Sequence, residues 1–343
     1  MYLVTQVTGN GTTVDGSRAP LRAAPKGRCR RGVGTGPFRF FNSVRKQQVR
    51  PRTPYREHMA GHISLLTDYG VNDEFVGVVK SVIVDLAPHV RITDLTHGVK
   101  PFDVRGGSLA LARAVQYVPD GVIVAIVDPG VGSSRRAVAV EVAGGRGVFV
   151  GPDNGLLGPA VALAGGAERA FELTNTELHL HTNGATFAGR DVFAPVAAHL
   201  ASGGDIADVG REIDVASLMP GLVPIPTEEK HDTFGEGLHC EVAWVDTFGN
   251  CQLNVGPEDI AHLGHVLRLV IGDDVRSARV VTHFAEIDSG AIGAVIDSYG
   301  MIALAMDRSS ASVALRVEEG DEVLVFRGES DVVASPVTLR ETK

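Results

Sequence analysis

The sequence predicts an α/β domain on a parallel-rich sheet, followed by an all-β barrel. Three observations carry this. Between residues 59 and 220, short apolar runs alternate with stretches of helical period. Residues 219–237 then carry three prolines and mixed charge. Beyond them the apolar runs become short and frequent, separated by turn residues, as in a small barrel or sandwich. The expected organisation is a basic leader over 1–58, an α/β domain over 59–220, a linker over 221–237 and a β-barrel domain over 238–343.

The elements follow in order. His62 to Leu66 reads as a strand ending in Thr67-Asp68-Tyr69-Gly70, and Asn72 or Asp73 is placed to cap a helix that Pro88 stops after Leu86. Val90 to Leu95 is a second strand. Asp103 to Tyr117 is a helix with Leu109, Leu111, Ala112 and Val115 on its apolar side. Val122 to Val127 is a buried strand running into Asp128-Pro129-Gly130. Strands at 137–142 and 147–150 join through Gly144-Gly145, and helices are expected over Gly155–Leu163 and Asp191–Ala201. This alternation implies a Rossmann-like sheet covered by helices. In the second domain the β-rich runs are Cys240–Val245, Val266–Ile271, Ala278–Thr282, Ala294–Ile296, Val313–Val317 and Glu322–Phe326.

Charge divides the chain sharply. Residues 1–58 hold 12 Lys/Arg against Asp15 and Glu57, a net +10, which leaves −19 on residues 59–343 within a total of −9. An acidic body disfavours nucleic acid as a partner. The leader lacks a secretory h-region and any sustained apolar period; it is expected to be disordered, with Met59 as an alternative start and a transit peptide or nucleic-acid arm as the other readings. No apolar run approaches the roughly 20 residues that span a bilayer, so no membrane partner is expected. Cys29, Cys240 and Cys251 form no CxxC pair, which points to idle thiols in a reducing, cytoplasmic setting. The 12 histidines show no metal-ligand spacing, and neither metal nor cofactor is expected.

Ligands of open parallel sheets bind at the carboxyl ends of the strands, where Asp68 and Asp128 stand. Each is suited to accept ribose hydroxyls or orient a nucleophile, or simply to cap its own turn. The loop Asp128-Pro-Gly-Val-Gly-Ser-Ser-Arg-Arg136 is neither a Walker loop nor a GxGxxG. Asp128 and Arg135 are placed to pair, which sets a charge beside a reacting centre or forms a plain salt bridge. Asp246-Thr-Phe-Gly-Asn250 and Asp297-Ser-Tyr-Gly300 are turn sequences. Phe248 and Phe284 have the rings to stack on a purine, and Asn250 the amide to read its edge; core rings and a turn asparagine are the bland alternative.

Taken together, the chain resembles the S-adenosylmethionine hydroxide adenosyltransferases, relatives of the fluorinase and chlorinase. The matching pieces are Leu65-Leu-Thr-Asp-Tyr-Gly70, Pro101-Phe-Asp-Val-Arg105, Val127 to Arg136, Gly151-Pro-Asp-Asn-Gly-Leu156, Ala185-Thr-Phe-Ala-Gly-Arg-Asp191, Asp246 to Asn250 and Ser298-Tyr-Gly300, in order over about residues 61–335. The resemblance implies a homotrimer with sites between one subunit's first domain and a neighbour's barrel. It implies that Asp68 holds the ribose hydroxyls with Phe102 near the sugar, and that Tyr69, Asn154 and Phe187 also bind substrate. Phe248 and Phe284 would sandwich adenine, Asn250 would read its edge, and Asp246, Ser298 and Tyr299 would meet the methionine moiety. The hydrolytic members carry an Asp–Arg–His triad. Asp128 and Arg135 match two of its members, while the motif Thr-Phe-His-Gly-Arg-Asp has Ala188 in place of His.

The reaction so implied is attack of water-derived oxygen on the 5′ carbon of S-adenosylmethionine, giving adenosine and methionine. The leaving group is a neutral thioether, so the demand falls on the nucleophile. Arg135 would stabilise hydroxide and Asp128 direct it. A positioned base contributes roughly 10²–10⁴ in rate, so Ala188 is expected to slow turnover and spare binding. The alternatives are a non-catalytic S-adenosylmethionine or adenosine binder, and a halide adenosyltransferase, which the Asp128 carboxylate disfavours by repelling an anion.

Overall fold

The computed structural model describes residues 61–142 and 147–329. The leader, Met59, Cys29 and the Gly144-Gly145 connection lie outside the described residues.

The first sheet has seven strands: β1 (His62–Thr67), β2 (Arg91–Thr96), β3 (Gly121–Ile126), β4 (Ala137–Val142), β5 (Gly147–Pro152), β6 (Ala167–Glu172) and β7 (Arg211–Ile213), in the order β2-β1-β3-β5-β4-β6-β7. The first four in that order run parallel; β4, β6 and β7 join antiparallel. The sheet is therefore mixed, parallel where the crossover helices lie. Those helices are α1 (Phe75–Leu86), α2 (Val104–Ala114), α3 (Gly158–Leu163) and α4 (Ala194–Ala201).

Strand alternation explains the two-sided core. Ile63 and Leu65 of β1, with Val122, Val124 and Ile126 of β3, face α1 and α4 through Val79, Ile83, Val196 and Leu200. Leu66, Ile123 and Ala125 face the other way, toward Leu111, Leu156 and Ala160. Every residue of β3 is buried, as a central strand covered on both faces requires. The Asp103 carboxylate caps α2 by accepting the Gly106 N–H at 2.8 Å. One turn on, a Cβ at Gly107 would stand 2.9 Å from the Val127 side chain, so glycine lets α2 close on the sheet.

The second half is a barrel. Its strands are β8 (Thr227–His231), β9 (Gly235–Val245), β10 (Cys251–Leu253), β11 (Val266–Ile271), β12 (Asp274–Val281), β13 (Ile292–Ile296), β14 (Ile302–Ala305) and β15 (Glu322–Arg327). Seven of them close a ring, because β9 pairs with both β15 and β10. Strand β8 adds outside it as a polar edge. Closure removes exposed edges and encloses a core that includes Val242, Leu253, Leu269 and Val325.

Several expectations are corrected. Val313–Val317 is not a strand: helix α6 (Ala311–Leu315) lies there, after the short α5 (Pro257–Ile260). Ser310 caps it, accepting the Val313 N–H at 3.1 Å, and Ala311 and Leu315 are buried one turn apart while Val313 is 75% exposed. Neither Asn72 nor Asp73 caps α1, which starts after Glu74 without a side-chain cap. Helix α3 begins only at Gly158, with Pro159 in its first turn. The segment Gly189–Phe193 is a wider π turn that precedes α4. Residues 227–237, assigned to the linker, instead pair as the β8–β9 hairpin, whose charged residues suit an edge strand.

Helix α2 and the loop before it hold the two halves together. Leu109 and Ala112 pack with Ala243 and Met301. The Arg113 guanidinium lies 4.2 Å from the centre of the Trp244 ring. Arg105 pairs with Glu241, and Lys100 Nζ reaches Glu319 Oε2 at 2.9 Å.

Candidate active site

Strands β1 and β3 are paired neighbours, with Thr67 opposite Ile126, so Asp68 and Asp128 emerge side by side at the carboxyl edge. Asp68 extends the ladder through its N–H, which donates to Ile126 O at 3.2 Å. Its carboxylate does not cap its own turn. Oδ2 accepts the Phe102 N–H at 2.9 Å, and Oδ1 makes no hydrogen bond with a described residue. Phe102, a residue 70% exposed, meets it from a left-handed backbone, φ 68°. A bulky residue held there costs about 1–3 kcal/mol, a strain typical of functional loops.

Asp128 and Arg135 form a two-pronged pair. Arg135 Nε donates to Oδ1 at 3.0 Å and Nη2 to Oδ2, while Nη1 donates to Arg136 O at 2.9 Å. The loop between them is self-braced: the Ser133 hydroxyl donates to Gly130 O at 2.6 Å and accepts the Arg135 N–H at 3.2 Å. Burial pushes the Asp128 carboxyl up, opposed by Arg135 and reinforced by Asp68. The planar fork holds the carboxylate in one orientation beside Asp68.

Tyr69 packs between these groups and the helices. Its ring lies 5.8 Å from both Phe75 and Phe187, which are themselves 5.2 Å apart. Burial, then Asp68 and Asp128, push its phenol well above the usual range. Ala188 opens the π turn and packs against the same core. In the next residues, Arg190 Nε donates to Asp191 Oδ1 at 2.6 Å and Thr182 Oγ1 to Asp191 Oδ2 at 3.0 Å, which ties down the 182–191 loop. Asn154 braces the β3 end, donating to Val127 O at 2.8 Å while accepting the Leu156 N–H.

The barrel gathers the remaining residues. Asp246 Oδ1 accepts the N–H groups of Phe248 and Asn250, both at 2.9 Å, and Oδ2 accepts Asn250 Nδ2 at 2.8 Å. Asp297 does the same for Tyr299 and Met301, at 2.8 and 3.0 Å, and pairs with Gln252 Nε2. Between these two braced turns lies a cavity of about 210 Å³, walled by Trp244, Asp246, Asn250, Phe284 and Ser298. Phe284 is 50% exposed; Phe248, 79% exposed, stands outside that wall. The Tyr299 ring turns toward Trp244, 6.0 Å away.

Thus Asp68, Tyr69, Phe102, Asp128, Arg135, Asn154, Phe187 and Ala188 gather at the sheet edge, and Asp246, Phe248, Asn250, Phe284, Ser298 and Tyr299 at the barrel. No hydrogen bond, ion pair or ring contact among the described residues joins a member of one group to the other.

Two supports escaped sequence reading. Thr67 Oγ1 accepts the Tyr69 N–H at 3.1 Å and lies 2.9 Å from His97 Nδ1. His97 Nε2 is 3.2 Å from Asp94 Oδ1, and Asp94 Oδ2 accepts Lys80 Nζ at 2.9 Å. The other support is Arg113 behind Trp244; burial lowers its guanidinium to about 10. Arg113 carries a sequence signal, a charge on the buried side of its helix, whereas His97, in a loop beyond β2, carries none.

A family model described as the SAM hydroxide adenosyltransferase N-terminal domain matches residues 63–210, and one for the C-terminal domain of the same family matches residues 240–324. A Salinispora tropica protein named (R)-S-adenosyl-L-methionine hydrolase is 42% identical over 266 residues, covering 78% of this chain and 98% of its own. A Nocardia brasiliensis protein named fluorinase is 27% identical over 301 residues, covering 78% of this chain and 97% of its own. Among solved structures, an uncharacterised conserved protein from Thermotoga maritima superposes with a TM-score of 0.68 at 36% identity, over 77% of this chain and 100% of its own.

Proposed function

This chain belongs to the SAM hydroxide adenosyltransferase family, and from that premise we propose that it hydrolyses S-adenosyl-L-methionine to adenosine and L-methionine. The observation that carries the reading is the half-buried Asp128–Arg135 fork at the strand edge beside Asp68. Water oxygen bonds to the 5′ carbon as the carbon–sulfur bond breaks, its electron pair passing to sulfur. One water proton goes to the Asp128 carboxylate and then to solvent. A carboxylate made more basic by burial suits that role, and Arg135 stabilises the developing hydroxide. The free Oδ1 of Asp68 is offered to a ribose hydroxyl. Phe284, with Phe248, is offered to the purine, and Asn250 to its edge.

The working unit we infer is a homotrimer, with each site shared between one copy's sheet edge and a neighbour's barrel. The separation of the two residue groups within one chain supports this, as do the exposed rings of Phe102 and Phe248. The reading includes a cytoplasmic setting, supported by the buried free thiols of Cys240 and Cys251. Among the described residues, no helix is long and apolar enough to cross a membrane.

Ala188 favours one second reading, a protein that binds S-adenosylmethionine or adenosine without turnover. The deciding experiment incubates purified chain with S-adenosylmethionine, with and without chloride, and identifies the nucleoside. Adenosine in both supports hydrolysis. A chlorinated nucleoside assigns halide transfer, and unchanged substrate assigns binding alone.

A further inference from the structure

Position 188 offers no polar side-chain atom, yet the structure brings one to its neighbour. The first atom that a Cβ on Gly189 would meet is Tyr69 Oη. The phenol therefore closes directly on the π turn that Ala188 opens. The charges acting on it are those of Asp68, Asp128 and Arg135, the groups of the sheet edge. Its ring is fixed by Phe75 and Phe187, and its N–H by Thr67. The hydroxyl makes no hydrogen bond with a described residue, so both its donor and its acceptor are open to a guest.

We propose that the Tyr69 hydroxyl is a catalytic group of this chain, holding the attacking water against the Asp128–Arg135 pair at the place vacated by Ala188. This rests on the hydrolytic reading above. The phenol accepts one water O–H while keeping its own hydrogen. It stays protonated throughout, as its two carboxylate neighbours and its burial require. The base remains Asp128, which takes the water proton as oxygen bonds to the 5′ carbon and the sulfur departs with the bonding pair. A group that orients without accepting the proton fits a site lacking imidazole.

Tyr69→Phe tests this, because it removes one oxygen and keeps the ring cluster. Single-turnover adenosine release by Tyr69→Phe should fall about ten- to a thousand-fold, within or just below the range for losing one positioned polar group. Its Kd for adenosine should stay within about threefold of the parent's. Ala188→His should then restore the Tyr69→Phe rate by a larger factor than it raises the parent's, since imidazole and phenol compete for one role. A Tyr69→Phe rate equal to the parent's overturns the proposal. So does an equal effect of Ala188→His in both backgrounds, or a Tyr69→Phe chain that no longer binds adenosine, which would make the hydroxyl a folding or binding group. A parent that forms no adenosine instead refutes the hydrolytic reading itself.

Discussion

Phe102 donates its backbone N–H to the Asp68 carboxylate from a left-handed conformation, so a strained residue fixes the carboxylate proposed to hold ribose. Its ring is largely exposed, so little burial offsets the strain. Phe102→Gly should therefore leave stability unchanged or raise it by up to about 1 kcal/mol. Affinity for S-adenosylmethionine should fall several-fold, because a freer loop presents Asp68 less well. Urea unfolding and calorimetric titration measure the two effects; a large loss of stability would show that the ring is a packing element.

The Asp128–Arg135 fork should behave as one unit. Asp128→Asn and Arg135→Lys should each lower single-turnover adenosine release by about 10²-fold or more, and the double variant by little beyond the worse single. Lysine keeps the charge but cannot give two parallel N–H bonds to a carboxylate. Multiplying losses in the double variant would mean that the residues act separately.

The acid side of the pH profile follows from the direction of the Asp128 shift. Burial raises its carboxyl, against Arg135, so protonation sets in at a higher pH than for an ordinary aspartate. In the proposed mechanism the carboxylate is the active form, so kcat/KM should decline on acidification starting above the normal aspartate range. The groups facing it are Arg135, Asp68, and Tyr69, whose raised phenol does not titrate there. A folded pKa raised in a carboxyl favours the folded state at low pH and is lost as a stabilising contribution once pH rises through that value. An unchanged acid limb in Asp128→Asn would assign the titration elsewhere.

The proposed trimer with shared sites makes a mixing prediction. Asp128→Asn breaks the sheet-edge half and Asn250→Ala the barrel half. Unfolded together in equal amounts and refolded, the two inactive chains should regain about a quarter of parental sites, by random pairing of halves around a ring. No recovery, with mixed trimers present by mass spectrometry, would place both halves of each site in one chain.

The sheet was legible because its buried strands are nearly continuous apolar runs, and Asp68 and Asp128 were legible because each is a charge that ends such a run. Arg135 was legible by motif, seven residues on from its partner. The barrel was harder. Strands β10 and β14 span only Cys251–Leu253 and Ile302–Ala305, too short for a period to register. Strand β6, Ala-Glu-Arg-Ala-Phe-Glu, hides one apolar face among charges. At 313–317 the valines suggested a strand, while the Ser310 cap decided for helix. His97 and Arg113 depend on partners brought from other elements, such as Thr67 and Trp244, which no local pattern encodes.

The loop that ends in Phe102 also carries Lys100, whose ammonium grips Glu319, and Glu319 in turn accepts the Val245 N–H at 3.2 Å. One short segment thus wires the Asp68 carboxylate to the foot of strand β9. Any chimera built on this chain inherits that seam. Exchanging the barrel alone would part Lys100 from Glu319 and Arg105 from Glu241, and would strip Arg113 of the indole beneath it. Grafted barrels should work only when the donor's loop and helix over 98–114 travel with them, so the heritable module here is cut inside the first domain rather than at the proline-rich stretch between the two.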